Sequence, residues 1–257
     1  YHSNIVKQKI CNFLLQPFTK YALKKSDLIF VSNNRIIEQS ALLKKLKNKC
    51  KVIPYGLDLK DYQLDNSKIK VKEEIIKTYG QPLVLAVGRS VYYKGFDFLI
   101  NSFKNIEAHL LIISHGKLRQ KLNDLVNKNN LQTKISIINP VIDLIPYYHA
   151  CNLFVLPSTE TSEVFGIVQI EAMACGKPVI NTNLPTGVPD ISLHNITGIT
   201  VQPKQTKELS EAINKIIKNQ ELMKKFSLAA KTRVKNNYIL EDFIKKHEEY
   251  FKLLFKN

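Results

Sequence analysis

The pattern of hydrophobic and polar positions along the chain alternates between short, mainly apolar runs and longer segments of helical composition. The apolar runs have the length of strands, and each ends at a glycine, a proline or a polar residue; they include residues 83–87, 109–114, 135–138, 153–156 and 179–182. The segments between them carry apolar residues at helical spacing. Strands that alternate with helices are typical of an α/β fold with a parallel, Rossmann-like sheet.

The predicted elements divide the chain into three parts. Residues 1–62 are interpreted as the C-terminal part of one α/β domain, so we expect the chain to begin partway through that domain. Within this part, a helix is predicted to follow Ser32-Asn33 and to run to about Leu46, because Ser and Asn are favoured N-cap residues. Residues 63–238 are predicted to form a second, Rossmann-like domain, and residues 239–257 a final amphipathic helix.

The stretch from Leu156 to Pro178 holds the candidate chemistry. It reads L-P-S-T-E-T-S-E-V-F-G-I-V-Q-I-E-A-M-A-C-G-K-P, which predicts a strand end, a polar loop and then a helix. Ligands of parallel sheets bind at the carboxyl ends of strands, where loops lead into helix N-termini. Gly166 allows the backbone to approach a ligand closely, and the free N–H groups at the helix start favour an anion such as a phosphate.

Two carboxylates flank this predicted anion site. Glu163 lies in the loop, and Glu171 is placed two turns into the predicted helix. Because carboxylates repel a phosphate, we expect them to accept hydrogen bonds from sugar hydroxyls instead. A nucleotide sugar has hydroxyls on its ribose and its hexose, with a diphosphate between them. The alternative is that Glu163 is a solvated loop acid and Glu171 pairs locally.

A second loop combines basic residues with glycines. Arg89 and Lys94 lie between Gly88 and Gly95, directly after the predicted strand at 83–87. Arginine can bind two phosphate oxygens with its planar fork, and lysine supplies a compact positive charge. The loop therefore suits a diphosphate.

Both segments resemble the family 4 retaining glycosyltransferases, which have the GT-B fold. The first is similar to the family signature E-x-F-G-I-V-x-x-E-A-M-A-x-G-x-P, with an almost unbroken match. This resemblance implies that Glu171 binds the ribose hydroxyls and that Glu163 binds the donor hexose. It also implies that the backbone around Phe165, Gly166 and Ile167 holds the hexose and the diphosphate.

The resemblance extends over the rest of the chain. The second loop is similar to the family's G-R-x(4)-K-G segment, which implies that Arg89 and Lys94 hold the donor diphosphate beside Gly88. Backbone groups of the loop that contains Val141 are expected to contact the base. The string H-S-N-I-V at the start resembles a family segment whose histidine lies beside the transferred sugar, which makes His2 a candidate; a surface histidine is the alternative.

The resemblance also assigns the parts of the chain. Residues 1–62 correspond to the end of the acceptor-binding domain and residues 63–238 to the nucleotide-sugar donor-binding domain. The last helix, 239–257, is expected to cross back to the first domain, and a simple cap on the second domain is the alternative.

Composition and charge limit the partners. The formal net charge is +16, yet only four of the 38 basic residues are arginines, and no nucleic-acid motif is present, so nucleic acid is not expected as a partner. Lysines crowd the first fifth of the chain beside apolar residues. That face suits either an anionic membrane surface or plain solvation.

The cysteines indicate a reducing compartment. Cys11, Cys50, Cys151 and Cys175 lack the spacing of metal ligands or of a redox pair, so they are interpreted as reduced core thiols of a cytoplasmic protein. The protein is expected to be cytoplasmic, or peripheral on the inner face of the membrane.

The predicted function is transfer of a hexose from a UDP- or GDP-linked sugar to a glycan or lipid-linked acceptor in the synthesis of cell-surface polysaccharide. The transfer is expected to retain the configuration at the anomeric carbon and to need no metal ion. No cofactor is expected, since the nucleotide sugar is a substrate. Two alternatives remain: a nucleotide-sugar epimerase of the same fold, and a fragment that binds nucleotide without catalysis.

Overall fold

The computed structural model describes residues 9–254, with side chains from residue 15 onward. His2 lies outside these residues, as does the side chain of Cys11. The helices of the described part are α1 Lys9–Lys25, α2 Asn34–Gln39, α3 Ala41–Lys45, α4 Asn66–Tyr79, α5 Phe96–Ser102, α6 Arg119–Lys128, α7 Ile145–Ala150, α8 Val168–Ala174, α9 Val188–Ile191, α10 Thr206–Ile217, α11 Gln220–Asn237 and α12 Leu240–Leu254. The strands are β1 Ile29–Val31, β2 Cys50–Val52, β3 Leu83–Arg89, β4 His109–His115, β5 Ile135–Ile138, β6 Leu153–Val155, β7 Val179–Thr182 and β8 Gly198–Val201.

Six strands form one parallel sheet in the order β5-β4-β3-β6-β7-β8. Helices α4, α7 and α8 contribute to the hydrophobic core on one face, and α5, α6 and α10 to the core on the other. The predicted α/β fold with a parallel sheet is therefore confirmed.

Strand β3 shows why the sequence pattern of this sheet is continuously apolar. Leu83 and Leu85 belong to one core cluster, whereas Val84 and Ala86 belong to the other, as expected for side chains that alternate between faces. All four side chains are fully buried. A strand covered on both faces has no polar side, which is the usual signature of parallel sheets.

Residues before α4 include a separate two-stranded parallel sheet, β1-β2. The single helix predicted between Asn33 and Leu46 is wrong, because the chain forms two short helices that meet at Ser40. The Ser40 side chain accepts a hydrogen bond from the backbone N–H of Leu43 and caps the second helix. A serine side chain that bonds the nearby backbone competes with helix continuation.

The last helix, α12, contacts the first part of the chain. The Phe30 ring of β1 lies 4.7 Å from His247, 6.0 Å from Tyr250 and 5.8 Å from Phe251, measured between ring centroids. These contacts are those expected if the last helix crosses back to the first part of the chain. The domain boundaries at residues 62 and 238 stay predictions. Within residues 9–254, no helix combines the length and the hydrophobicity that a membrane crossing requires.

Asn33 gives a test of local stability in the first part of the chain. It is buried, and its Oδ1 accepts a hydrogen bond of 3.1 Å from the backbone N–H of Ile36 at the start of α2. Asn33→Ala is expected to lower the free energy of unfolding by about 1 kcal/mol, the usual value of an N-cap. Urea denaturation measures this loss. The neighbouring Asn34 is exposed, so Asn34→Ala should change the stability far less, and equal losses would contradict the capping role.

Candidate functional site

The candidate site lies where the strand order of the sheet reverses. From β3 the chain passes to β4 and β5 on one side, and it returns to β6 on the other side of β3. The crevice beyond the carboxyl ends of two such strands is the usual ligand site of an open parallel sheet. Arg89 is the last residue of β3, Lys94 lies in the loop that follows, and Glu163 lies in the loop after β6, so the structure brings the two predicted segments together.

Lys94 and Glu163 form a buried ion pair between the loop after β3 and the loop after β6. The Nζ of Lys94 lies 2.7 Å from Oε2 of Glu163, and both side chains are only 10% exposed. The hydroxyl of Ser158, which is fully buried, donates a second hydrogen bond of 2.8 Å to the same Oε2. Glu163 is therefore not a solvated loop acid, and its carboxylate is fixed by two donors.

Glycines bring the two loops into close contact. Gly95 has φ +66°, and a Cβ at this position would lie 2.1 Å from the carbonyl oxygen of Pro157. Gly88 lets the Lys94 side chain pass over the backbone, because a Cβ there would lie 3.0 Å from Cε of Lys94. Gly95 is thus required by packing against the loop after β6, whereas Gly88 leaves space for the Lys94 side chain of its own loop.

Hydrogen bonds join the same two loops. The backbone N–H of Thr159 donates to the carbonyl of Tyr93 at 2.8 Å, and the hydroxyls of Tyr92 and Ser162 lie 2.9 Å apart. Arg89 is exposed, and its guanidinium donates to the hydroxyl of Tyr93 at 3.2 Å. The result is one continuous wall with a positive, solvent-accessible arginine at its edge and a buried ion pair behind it.

The segment before α8 packs tightly against the core. Gly166 has φ +74°, and a Cβ there would lie 2.5 Å from Cδ2 of Leu156. Phe165 is buried, with its ring centroid 4.9 Å from that of Tyr55, so its side chain packs in the core. Ile167 is 39% exposed. The side chain of Phe165 is therefore occupied by core packing, and the expected ligand contacts of the backbone at Phe165, Gly166 and Ile167 stay predictions.

Glu171 lies nearer the helix start than predicted. Because α8 begins at Val168, Glu171 is in its first turn and not two turns inside the helix. Its Oε2 accepts a hydrogen bond of 2.6 Å from the hydroxyl of Tyr148, a fully buried residue of α7. Burial raises the pKa of the Glu171 carboxyl, and the hydrogen bond from Tyr148 opposes that shift.

Val141 lies in the loop after β5, two strands away from β3 in the sheet. Loops at the carboxyl ends of parallel strands share one edge of a sheet, so Val141 and Arg89 line the same edge. Val141 is half-buried and packs against the core cluster on the α7 face.

The described cysteines fit their predicted structural role. Cys50, Cys151 and Cys175 are buried and free. Burial raises the pKa of Cys151 to about 11 and that of Cys175 to about 12, so both thiols stay protonated and unreactive near neutral pH. No group of three or more His, Cys, Asp and Glu side chains within the described part of the chain is placed to hold a metal ion.

Comparison with known proteins identifies the family. Residues 65–233, more than half of the chain, match the model for glycosyl transferases group 1. The chain belongs to this family. Among its relatives, the O-antigen chain mannosyltransferase C of Escherichia coli is 28% identical over 246 residues, which cover 95% of this chain and 65% of that protein. The capsular polysaccharide biosynthesis glycosyltransferase CapM of Staphylococcus aureus is 31% identical over 243 residues, which cover 86% and 61%.

Solved structures of group 1 glycosyltransferases and related proteins share the fold. The crystal structure of Anabaena Alr3699/HepE in complex with UDP superposes with a TM-score of 0.86 at 19% identity and covers 98% of this chain and 71% of that one. This likeness confirms the GT-B-like fold prediction. The chain spans less than two thirds of the length of the two curated relatives.

Sequence reasoning missed two residues of the candidate site. Ser158 donates to Glu163, and Tyr148 donates to Glu171. Ser158 lies in the loop just beyond the buried strand β6, and a polar residue at that point is a weak signal for a role in the site. Tyr148 gives no such signal, because an aromatic residue at helical spacing reads as part of the core.

Proposed function

We propose that this protein is a family 4 retaining glycosyltransferase that moves a hexose from a UDP- or GDP-linked sugar to a glycan or lipid-linked acceptor in the synthesis of cell-surface polysaccharide. One observation carries the proposal: Arg89, Lys94 and Glu163 meet at the reversal of strand order, with Glu171 in the first turn of the next helix. The names of the relatives, which refer to O-antigen and capsular polysaccharide, support the acceptor class.

Each side chain has a role in binding the donor. Arg89 and Lys94 bind the diphosphate, since one is exposed at the edge of the crevice and the other is paired with Glu163 behind it. Glu163 accepts hydrogen bonds from the hexose hydroxyls with the oxygen that Lys94 and Ser158 do not engage. Glu171 accepts the ribose hydroxyls, and the backbone near Val141 contacts the base.

Electrostatic stabilisation of the leaving group drives the reaction. The bond between the anomeric carbon and the diphosphate breaks, and its electron pair leaves with the diphosphate. Arg89 and Lys94 stabilise that charge as it develops, because cations held in place before the reaction need no rearrangement to meet a developing anion. The acceptor hydroxyl attacks from the leaving-group face, which retains the configuration, and its proton passes to a phosphate oxygen. This scheme does not require a metal ion.

A lipid-linked acceptor would bring the protein to an anionic membrane surface. Helix α1 supports this part of the proposal, because Leu15, Phe18 and Tyr21 are exposed on it beside Lys20 and Lys24. Such a combination of apolar and basic side chains suits the interface of an anionic bilayer.

A thermal-shift screen with nucleotides tests the donor assignment. UDP or GDP at about 100 times its Kd is expected to raise the Tm by about 5–10 °C, because a ligand that binds only the folded state adds to its stability. Uridine, guanosine and pyrophosphate alone should each give a smaller shift, since each fills one part of the site. The absence of a shift with every nucleoside diphosphate would contradict the proposal.

Product analysis then separates transfer from epimerisation. The whole protein is incubated with the donor that binds, with and without a saccharide acceptor. Transfer requires the acceptor and yields the nucleoside diphosphate. A changed hexose on an intact nucleotide, formed from donor alone, would instead indicate an epimerase.

A further inference from the structure

Tyr148 holds one oxygen of Glu171 from inside the core. Its ring is fully buried and lies 5.7 Å from the ring of Phe154, measured between centroids, and Phe154 belongs to the central strand β6. The phenolic hydroxyl donates to Oε2 of Glu171 at 2.6 Å. Hydrogen bonds of this length to a carboxylate are charge-assisted and strong.

We propose that Tyr148 is a positioning residue for nucleotide binding, which fixes the Glu171 carboxylate so that its other oxygen, Oε1, is presented to the ribose. The inference rests on the proposed function, since it takes Glu171 as the ribose ligand. A rigid donor behind the carboxylate fixes its rotamer before the ligand arrives, so less conformational entropy is lost on binding.

The surroundings of Glu171 make this donor important for its ionisation. Burial is the main cause of the raised pKa of Glu171, and the hydrogen bond from Tyr148 counteracts it. Two further groups face the carboxylate: Tyr62 from the segment before α4, and Cys175 from the end of α8. Both are acids whose own pKa is raised by burial, so both are neutral near neutral pH. They offer no charge to stabilise the ionised carboxylate.

Removal of the Tyr148 hydroxyl should therefore change how binding depends on pH. Without the donated bond, the pKa of Glu171 rises further, and the carboxyl becomes protonated at a higher pH. A protonated carboxyl is a weaker acceptor for the two ribose hydroxyls. Nucleotide affinity should consequently be lost at a higher pH in Tyr148→Phe than in the wild type.

The test measures the Kd of UDP and of GDP by calorimetry for both proteins between about pH 5 and pH 8. The ratio of wild-type to variant affinity cancels the titration of the nucleotide itself. We expect the wild type to bind more tightly even at the alkaline end, because the variant loses the fixed rotamer, and we expect the ratio to rise by a further factor of about ten in acid, which corresponds to a shift of roughly one pH unit. A ratio that stays constant across the range would overturn the inference, because a packing role changes affinity equally at every pH.

Three controls sharpen the result. Tyr147→Phe alters the preceding residue, which packs against the same core cluster, and it should leave the pH profile unchanged. In a Glu171→Gln background, Tyr148→Phe should no longer shift the profile, because position 171 cannot titrate. Replacement of Tyr148 by 3-fluorotyrosine keeps the hydroxyl and makes it a stronger hydrogen-bond donor, so the loss of affinity should move to lower pH. This variant provides a test even if Tyr148→Phe fails to fold. An unchanged pH profile for it would also overturn the inference.

The outcomes distinguish this inference from the proposed function. If the wild type binds neither UDP nor GDP, or binds UDP and its 2′-deoxy analogue equally at every pH, the ribose assignment of Glu171 fails, and the inference fails with it. If the wild type binds and discriminates the analogue but Tyr148→Phe has the wild-type profile, only the inference is wrong.

Discussion

Replacement of Arg89 by alanine is expected to lower turnover about 10²- to 10³-fold, which is the usual loss when one preorganised donor to a developing anion is removed. Folding stability should hardly change. Arg89 is exposed and donates to the hydroxyl of Tyr93 at 3.2 Å, so its removal leaves no buried charge without a partner. Initial rates with the donor that binds, together with urea denaturation of the same samples, measure both effects.

Two variants separate the geometry of Arg89 from its charge. Arg89→Lys keeps the charge but loses the planar fork, so its turnover should lie between those of the wild type and Arg89→Ala. Lys104→Ala removes the same charge from an exposed position between α5 and β4, at the opposite edge of the sheet, and should retain nearly normal turnover. If Arg89→Ala and Lys104→Ala have the same activity, long-range charge explains the effect and the diphosphate assignment of Arg89 is wrong.

The strands of the main sheet could be predicted from the sequence because burial on both faces leaves a clear mark. Residues 135–138 and 179–182 were predicted with the observed bounds of β5 and β7. Continuous apolar runs that end at polar residues locate such strands well. Helix ends depend on other interactions. The break at Ser40 depends on a side-chain hydrogen bond to the backbone of Leu43, which the hydrophobic pattern does not encode.

The candidate site was predictable only as two separate segments. Local spacing and the family resemblance identified the loops that carry Arg89, Lys94 and Glu163. Neither indicated that Lys94 and Glu163 form an ion pair, because the pairing depends on the adjacency of β3 and β6 in the sheet. Contacts between residues far apart in sequence depend on the order of strands in the sheet, and the local sequence pattern of a strand does not determine that order.

The ion pair also determines how mutants of the site must be interpreted. Lys94→Met is expected to lower the free energy of unfolding by about 3–5 kcal/mol, because it leaves the Glu163 carboxylate buried with only Ser158 as a donor. Such a loss is a large share of the roughly 5–15 kcal/mol that stabilises a typical domain. A low activity of this variant would therefore report on folding as much as on catalysis.

A double-mutant cycle resolves the two effects. Glu163→Gln alone should also lower the free energy of unfolding, because it leaves the buried Lys94 ammonium without a negatively charged partner. The double variant Lys94→Met/Glu163→Gln has no buried charge at either position, and Ser158 can still donate to the amide oxygen, so its stability should approach that of the wild type. Urea denaturation of the four proteins gives the coupling energy. If the single losses simply add, the two groups are not coupled in solution. If the double variant is stable but does not turn over the donor, loss of folding cannot explain the inactivity, and the charges of Lys94 and Glu163 are required for the reaction itself.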